Sequence, residues 1–347
     1  MVNEVDRPTF TFFVQIGGAM EVRVCAVVPV LNEEQFIARC IDSLLSQTMP
    51  VQILVLDGGS TDKTLKILES YGDSIKVVDN LGKRVSQARN LALEHIENDI
   101  THCLEIIGHS WIDSNHVEVR VKDMIALESK LGIKVGAIGC ITKSGDSEEE
   151  VSQWIEGALA SPIGSGGGQF KNFKGRHRTN VPAFCLHRVE ALKSVNGWDD
   201  RFITSQDSDL SMRLIAEGWE LWRSDVSCVY MHKRSSLTKW WKMCHRYGFW
   251  RTKVILKHPK RLDFKEFLPV VGLILIFTLP QWWWAPVAYA ATLLFMGALY
   301  MPQRGTLVSR VRSILGIALC LLILHTAFTL GLFDGLLRTG RAPNDRS

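Results

Sequence analysis

Val51-Gln52-Ile53-Leu54-Val55-Leu56-Asp57-Gly58-Gly59-Ser60-Thr61-Asp62 decides how this chain folds. The first half is a mostly apolar run of strand length, and the glycines after Asp57 break it into a turn. A carboxylate at the end of a buried strand, followed by flexible glycines, does not pack as core. It faces the crevice beyond the strand ends, where open α/β sheets bind ligands.

Residues 22–30 read as a preceding strand that ends in Pro29-Val30-Leu31-Asn32-Glu33-Glu34, and Asn32 with the glutamates suits a helix start. Phe36, Ile37, Cys40, Ile41, Leu44 and Leu45 then recur at helical spacing. After the Asp57 turn a second helix has Leu65, Leu68 and Tyr71 on one face. A third strand is expected at 75–78 and a third helix at 84–96. This βαβαβ alternation predicts a parallel sheet with crossover helices. Further strands are expected at 102–107, 135–142 and 219–230, and Ser205-Gln206-Asp207-Ser208-Asp209 opens another helix.

The mean hydropathy of +0.07 over 347 residues is concentrated near the C-terminus. Residues 267–303 carry no charge, and 314–337 carry only Asp334, with His325 titratable. Apolar runs of ~20 residues are long enough to span a bilayer. Just before them, 233–261 holds ten Lys or Arg and no acid, interleaved with Trp240, Trp241, Tyr247, Phe249 and Trp250. Basic and aromatic residues beside apolar spans belong at a headgroup layer, which accounts for this stretch without nucleic acid. The eight cysteines form no CxxC pair, so reduced, buried thiols are expected rather than a zinc site or disulfides. Residues 1–19 lack the pattern of a signal peptide, and either Met1 or Met20 is the start. The expected organisation is an extension over 1–20, an α/β domain over 21–232 and a basic-aromatic interfacial segment over 233–265. A membrane region of two or three spans, broken near Pro280-Gln281, follows over 266–337, with a tail at 338–347. Arg304, Arg310 and Arg312 place their loop in the cytoplasm, whereas Arg338, Arg341 and Arg346 conflict with a third span, so the topology after 303 stays open.

Four stretches in order carry a resemblance: Val28-Pro29-Val30-Leu31-Asn32-Glu33, the Asp57 turn, Gln87-Ala88-Arg89-Asn90, and Gln206-Asp207-Ser208-Asp209 with Arg213-Leu214. Together they resemble a family 2 glycosyltransferase of GT-A fold, nearest the membrane-associated succinoglycan-type (ExoA-like) branch. The Gly-rich stretch at 163–167 and Arg246-Tyr247-Gly248 are similar to that branch as well. The resemblance implies a mostly parallel central sheet, C-terminal transmembrane helices, a nucleotide-sugar donor, and a cell-membrane, multi-pass protein with its catalytic domain in the cytoplasm.

It also implies roles. Asp57 would accept a ring N–H of a uracil or similar base; the alternative is a turn-forming Asp. Pro29, Asn32, Glu33 and Asp62 would line the same pocket, although Asn32 and Glu33 equally suit the first helix start. Arg89 would reach a ribose or diphosphate, unless it is an ordinary surface arginine. Asp207 would be the base that takes the acceptor's proton in an inverting transfer, or a carboxylate that favours a helix N-terminus. Asp209, His232 and Arg246 would contact diphosphate or acceptor; lipid headgroups are the other reading for Arg246. The Gly-rich loop at 164–168, with Lys171, Lys174 and Arg176 after it, lacks a P-loop ending and would either close over a phosphate-bearing acceptor or be plain surface.

The departure is at the metal. The resembling branch has an Asp followed two positions on by His, holding Mg²⁺ or Mn²⁺ against the diphosphate; here Ile107 stands at the Asp position and the His is His109. Three outcomes are open: Glu105 and His109 bind the cation; side-chain cations such as Arg89, His232, Arg234 or Arg246 replace it; or the site is degenerate. The expectation is an inverting hexosyltransferase that moves a sugar to a membrane-held acceptor, a lipid-linked saccharide or polyprenyl phosphate. The alternative is a non-catalytic nucleotide-sugar-binding membrane protein on the same scaffold.

Overall fold

The sheet is built from nine strands in the computed structural model, which describes residues 21–145, 149–165, 173–232, 236–276, 281–303 and 305–342. The 1–20 extension, Gly166, Gly167, Gly168, Lys171, Arg234 and the end of the tail lie outside the described residues. The strands are β1 (Val24–Val30), β2 (Gln52–Asp57), β3 (Lys76–Asp79), β4 (His102–Glu105), β5 (Ser110–Ile112), β6 (Val135–Ser144), β7 (His177–Arg178), β8 (Leu186–Arg188) and β9 (Glu220–Met231). The helices are α1 (Ile37–Leu45), α2 (Thr64–Glu69), α3 (Val85–His95), α4 (His116–Leu131), α5 (Glu150–Ala160), α6 (Pro162–Ser165), α7 (Val189–Ser194), α8 (Gln206–Ala216), α9 (Leu237–Lys257), α10 (Leu268–Ile276), α11 (Ala285–Tyr300) and α12 (Leu307–Leu337).

The order along the sheet is β3-β2-β1-β4-β8-β6-β9-β5, with β7 on β9. The half that contains the Asp57 turn is parallel, as the βαβαβ alternation requires. The other half is mixed: β8 runs antiparallel to both β4 and β6, and β5 and β7 are antiparallel to β9. This corrects the mostly parallel expectation. The crossover rule covers strands joined by a helix, and β8 enters the sheet from a loop instead.

Strand alternation separates two cores. Val24, Ala26, Val28 and Val30 pack with Ile37, Ile41 and Leu44 of α1 and with Val117, Val121 and Met124 of α4. Cys25 and Val27 face the other way, against Ala88 and Ala92 of α3, Leu192 of α7, and Leu210 and Leu214 of α8. Each such aliphatic side chain contributes roughly 1.5–3 kcal/mol. With both sheet faces covered, the ligand-accessible edge is the C-terminal ends of β1, β2 and β4. All eight cysteines are buried and free.

A third core joins α5, α9, α11 and α12. Here α9 and α12 meet backbone to backbone. A Cβ at Gly248 would strike the Phe328 carbonyl, and one at Gly331 the His245 carbonyl, so only glycine allows the crossing. Trp240 Nε1 donates to the Cys320 carbonyl at 3.0 Å, and Thr252 Oγ1 to the Leu332 carbonyl at 2.9 Å. Among the described residues α12 alone is long and apolar enough to cross a membrane. At 16 residues, or about 24 Å, α11 is an apolar helix shorter than a typical hydrocarbon core.

Candidate active site

A cavity of ≈ 2410 Å³ opens at the C-terminal strand ends. Nine residues expected from sequence line it: Pro29, Asn32, Glu33, Arg89, Glu105, His109, Asp207, His232 and Arg246. Asp57, Asp62 and Asp209 do not.

Asp207 stands in the first turn of α8, after Ser205 at φ 63°. It is bonded to Arg89 of α3, Nη1 to Oδ1 at 2.5 Å. Arg89 Nη2 also lies 3.4 Å from Glu105 Oε2, and His187 Nε2 lies 3.2 Å from Glu105 Oε1. Arg89, Glu105 and His187 are each under a tenth exposed, whereas the Asp207 side chain is 47% exposed, as its position on the cavity wall requires. The result is a short buried relay that ends in one open carboxylate. Burial raises Asp207, Arg89 opposes and Glu105 reinforces, leaving it above the ordinary aspartate value. Burial also works against Glu105, but Arg89 and His187 prevail and hold it below the usual carboxylate range. Arg89 therefore pairs with two carboxylates while lining the cavity. His187 and Cys185 were missed from sequence; the only signal was a charged pair, His187-Arg188, at the end of a short apolar stretch.

His109 Nδ1 and Glu33 Oε1 are 2.7 Å apart at the end of β1. His232 Nα donates to the His109 carbonyl at 3.0 Å, and its ring stacks on Phe36 with centroids 4.2 Å apart. Glu105 thus pairs with Arg89 and His187 while His109 pairs with Glu33, so the expected Glu105–His109 couple is replaced by two separate pairs. The strand ends at Glu105, and the turn through Gly108 carries His109 toward the β1–α1 connection.

Asp57 is 2% exposed and accepts from Gly59 N (2.8 Å), Ser60 N (2.9 Å) and Ser60 Oγ (2.6 Å). Its neighbour Leu56 lines the cavity. Asn32 Oδ1 accepts from Thr61 N at 2.8 Å, tying the β1 turn to the β2 turn. Asp62, just before α2, accepts from Thr64 N at 2.9 Å and from Glu34 N at 3.1 Å. Asp209, with no exposed side-chain surface, accepts from Arg213 (2.9 Å), Lys257 (2.5 Å) and His258 (2.8 Å). Burial raises Asp209, but the hydrogen bonds from Lys257, His258 and Arg213 outweigh it and leave it lowered. Asp209 therefore fastens α8 to the end of α9 and does not line the cavity.

Among the described residues, two groups could hold a cation. Glu105, Cys185 and His187 bring ligand atoms within 4.8 Å of one another. That set suits Mg²⁺ or Mn²⁺ poorly. Burial pushes the Cys185 thiol well up, so it stays protonated, and Arg89 already neutralises Glu105. Glu33 and His109 offer one carboxylate and one imidazole on the cavity wall, 18% and 28% exposed. Such a pair suits a divalent cation that keeps most of its ligands as water and phosphate oxygens.

Residues 25–195 match the model of glycosyl transferase family 2. The succinoglycan biosynthesis protein ExoA of Rhizobium meliloti is 25% identical over 272 residues, 77% of each chain. A dolichyl N-acetyl-alpha-D-glucosaminyl phosphate 3-beta-D-2,3-diacetamido-2,3-dideoxy-beta-D-glucuronosyltransferase of Methanococcus voltae is 26% identical over 235 residues, 65% of this chain and 71% of its own. In three dimensions, the mannosyltransferase PcManGT of Pyrobaculum calidifontis, solved with GDP-Man and Mn²⁺, superposes with a TM-score of 0.52 and 17% identity. It covers 90% of this chain and 87% of its own. That likeness is one of GT-A fold.

Proposed function

We propose, from the match of residues 25–195 to the glycosyl transferase family 2 model and the likeness to ExoA, that the chain transfers a sugar from a uridine diphosphate donor, with inversion, to a lipid-linked saccharide or polyprenyl phosphate. The observation that carries this reading is Asp207, an open carboxylate at the start of a helix, held by Arg89 through one oxygen. The other oxygen is the proton acceptor. As the acceptor hydroxyl oxygen bonds to the anomeric carbon, its proton passes to Asp207, and the bond from that carbon to the diphosphate oxygen breaks. No covalent glycosyl-enzyme is needed, so one carboxylate suffices.

Asp57 keeps one lone-pair site, on Oδ1, beyond the three its turn uses, and a uracil N–H at the strand end is a fitting donor. Asn32 fixes that turn. Glu33 and His109 would hold Mg²⁺ or Mn²⁺, which when bound neutralises charge on the leaving diphosphate. His232 and Arg246 line the same wall and add positive or hydrogen-bonding groups there. The exposed Trp241 and Tyr247 among the basic residues of α9, and the apolar α12, favour a bilayer surface with the catalytic domain on the cytoplasmic side, although Trp240, Phe249 and Trp250 are spent on internal packing.

Replacing Asp207 with Asn tests the reading. Sugar transfer should fall by roughly 10²–10⁴, while UDP affinity by calorimetry stays within a few-fold. Transfer at the wild-type rate would remove Asp207 as the base.

A further inference from the structure

The cavity continues past Asp207 along one face of α9, where Lys239, Met243, Arg246, Tyr247 and Arg251 recur at helical spacing. Arg246 and Arg251 are about 7–8 Å apart along the axis. Beyond them lie Arg261, Asp263 and Glu266, and then Leu268 and Pro269 at the start of α10.

Arg251 Nε lies 3.1 Å from Glu266 Oε2, and Arg261 Nη2 lies 3.4 Å from Glu266 Oε1. The three side chains are 15%, 15% and 19% exposed, so two guanidiniums share one largely buried carboxylate. Arg251 Nη1 and Arg261 Nε are buried and find no hydrogen-bond acceptor among the described residues. Burial lowers Arg251 below the ordinary arginine value; Glu266 opposes this, Arg261 reinforces it, and Asp263 offsets a little. An arginine remains charged regardless. Buried, unsatisfied guanidinium donors on a cavity wall need acceptors, and their fork matches phosphate oxygens. The charge sits where the polar part of the cavity gives way to apolar α10.

We propose that Arg251 and Arg261 form a phosphate subsite that binds the phosphate of a prenyl-linked acceptor, with the hydrocarbon against Leu268 and Pro269. This rests on the lipid-linked acceptor reading above and names the residues that would recognise it. Inorganic phosphate and phospholipid headgroups share the same chemistry, so the experiment compares all three.

Full-length protein in detergent micelles is titrated with farnesyl phosphate, farnesol, inorganic phosphate and phosphatidylglycerol. Farnesyl phosphate should bind at least tenfold more tightly than any of the others. Arg251→Gln and Arg261→Gln should each weaken it tenfold or more with UDP binding unchanged. Equal binding of phosphatidylglycerol overturns the acceptor assignment in favour of bulk headgroups, and equal binding of inorganic phosphate overturns it in favour of free anion. Glu266→Gln separates recognition from scaffolding. Removing the competing carboxylate should preserve or tighten farnesyl phosphate binding. A loss of both Tm and binding, matching Arg251→Gln, would make the trio a structural clamp and overturn the proposal. Transfer assays keep the two readings apart. Sugar appearing only on water-soluble saccharides defeats the lipid acceptor itself. Normal transfer to lipid acceptors in Arg251→Gln, with farnesyl phosphate still bound, defeats the subsite alone.

Discussion

Replacing Arg89 with Gln decides whether this arginine serves the donor or the base. In the folded chain its guanidinium lies between Asp207 Oδ1 at 2.5 Å and Glu105 Oε2 at 3.4 Å, and it is 8% exposed. Removing it leaves two neighbouring carboxylates with only His187 opposite them. Breaking a buried ion pair from one side costs about 3–5 kcal/mol if the remaining charges persist. They need not persist, because a carboxylate can take up a proton instead. Asp207 is already raised and faces water, so it is the group that yields. An adjacent guanidinium holds an aspartate down by roughly 1–3 units, so losing Arg89 moves Asp207 further up. A base works only when deprotonated, so the acidic limb of the kcat profile should move upward by about 1–2 units. Well above the new limb the rate should recover to within several-fold of wild type. The assay is transfer of labelled sugar at saturating donor across pH, with donor KM measured at each point. A many-fold rise in donor KM with the limb unmoved would refute the base-holding role and return Arg89 to the diphosphate. The double variant Arg89→Gln/Glu105→Gln guards against a folding artefact, since it removes the stranded inner carboxylate as well.

Two other consequences concern stability. His102 is 5% exposed, and burial, then Arg188, depress its pKa to about 3, so the folded state keeps it neutral where the unfolded chain is protonated. Its stabilising contribution is complete above about pH 6.5 and is lost as pH falls toward 3, at up to about 1.4 kcal/mol per pH unit. His102→Gln should flatten that part of the stability profile measured by urea titration, and an unchanged slope would contradict it. Asp209→Asn breaks a buried carboxylate from Arg213, Lys257 and His258, and should cost about 3–5 kcal/mol, read as a lower Tm. kcat should fall with donor KM unchanged, because α8 loses its hold on α9; a raised donor KM with Tm intact would instead make Asp209 a ligand contact.

The first half of the fold was legible because its signals are local. Strands β1 and β2 are continuous apolar runs, α1 carries Ile37, Cys40, Ile41 and Leu44 at helical spacing, and the Asp57 turn is punctuated by glycine. The helix α4 was not legible. Its buried face includes His116, Arg120 and Asp123, so the apolar periodicity that marks a helix is diluted by polar side chains. Arg120 is satisfied by the Ile138 carbonyl and His116, partners that only the folded chain supplies. The site divides in the same way. Asp207 and His109 could be picked out as residue types at turns. That Arg89 would spend its charge on Asp207, 118 positions away, and that Glu33 rather than Glu105 would meet His109, are facts of tertiary contact. Two carboxylates at a helix start look equivalent in sequence. Two helical steps, about 200° around the axis, turn Asp207 to the cavity and Asp209 into the wall, among Lys257 and His258.

The fastening of α9 at two places has a mechanical meaning. Along its middle, Gly248 lets it lie against the backbone of α12; at its end, Lys257 and His258 grip the helix that bears Asp207. With 21 residues and a length of about 32 Å, α9 is a strut of fixed span. It couples the helix that bears Asp207 to the apolar C-terminal helix, so a displacement of one is carried to the other.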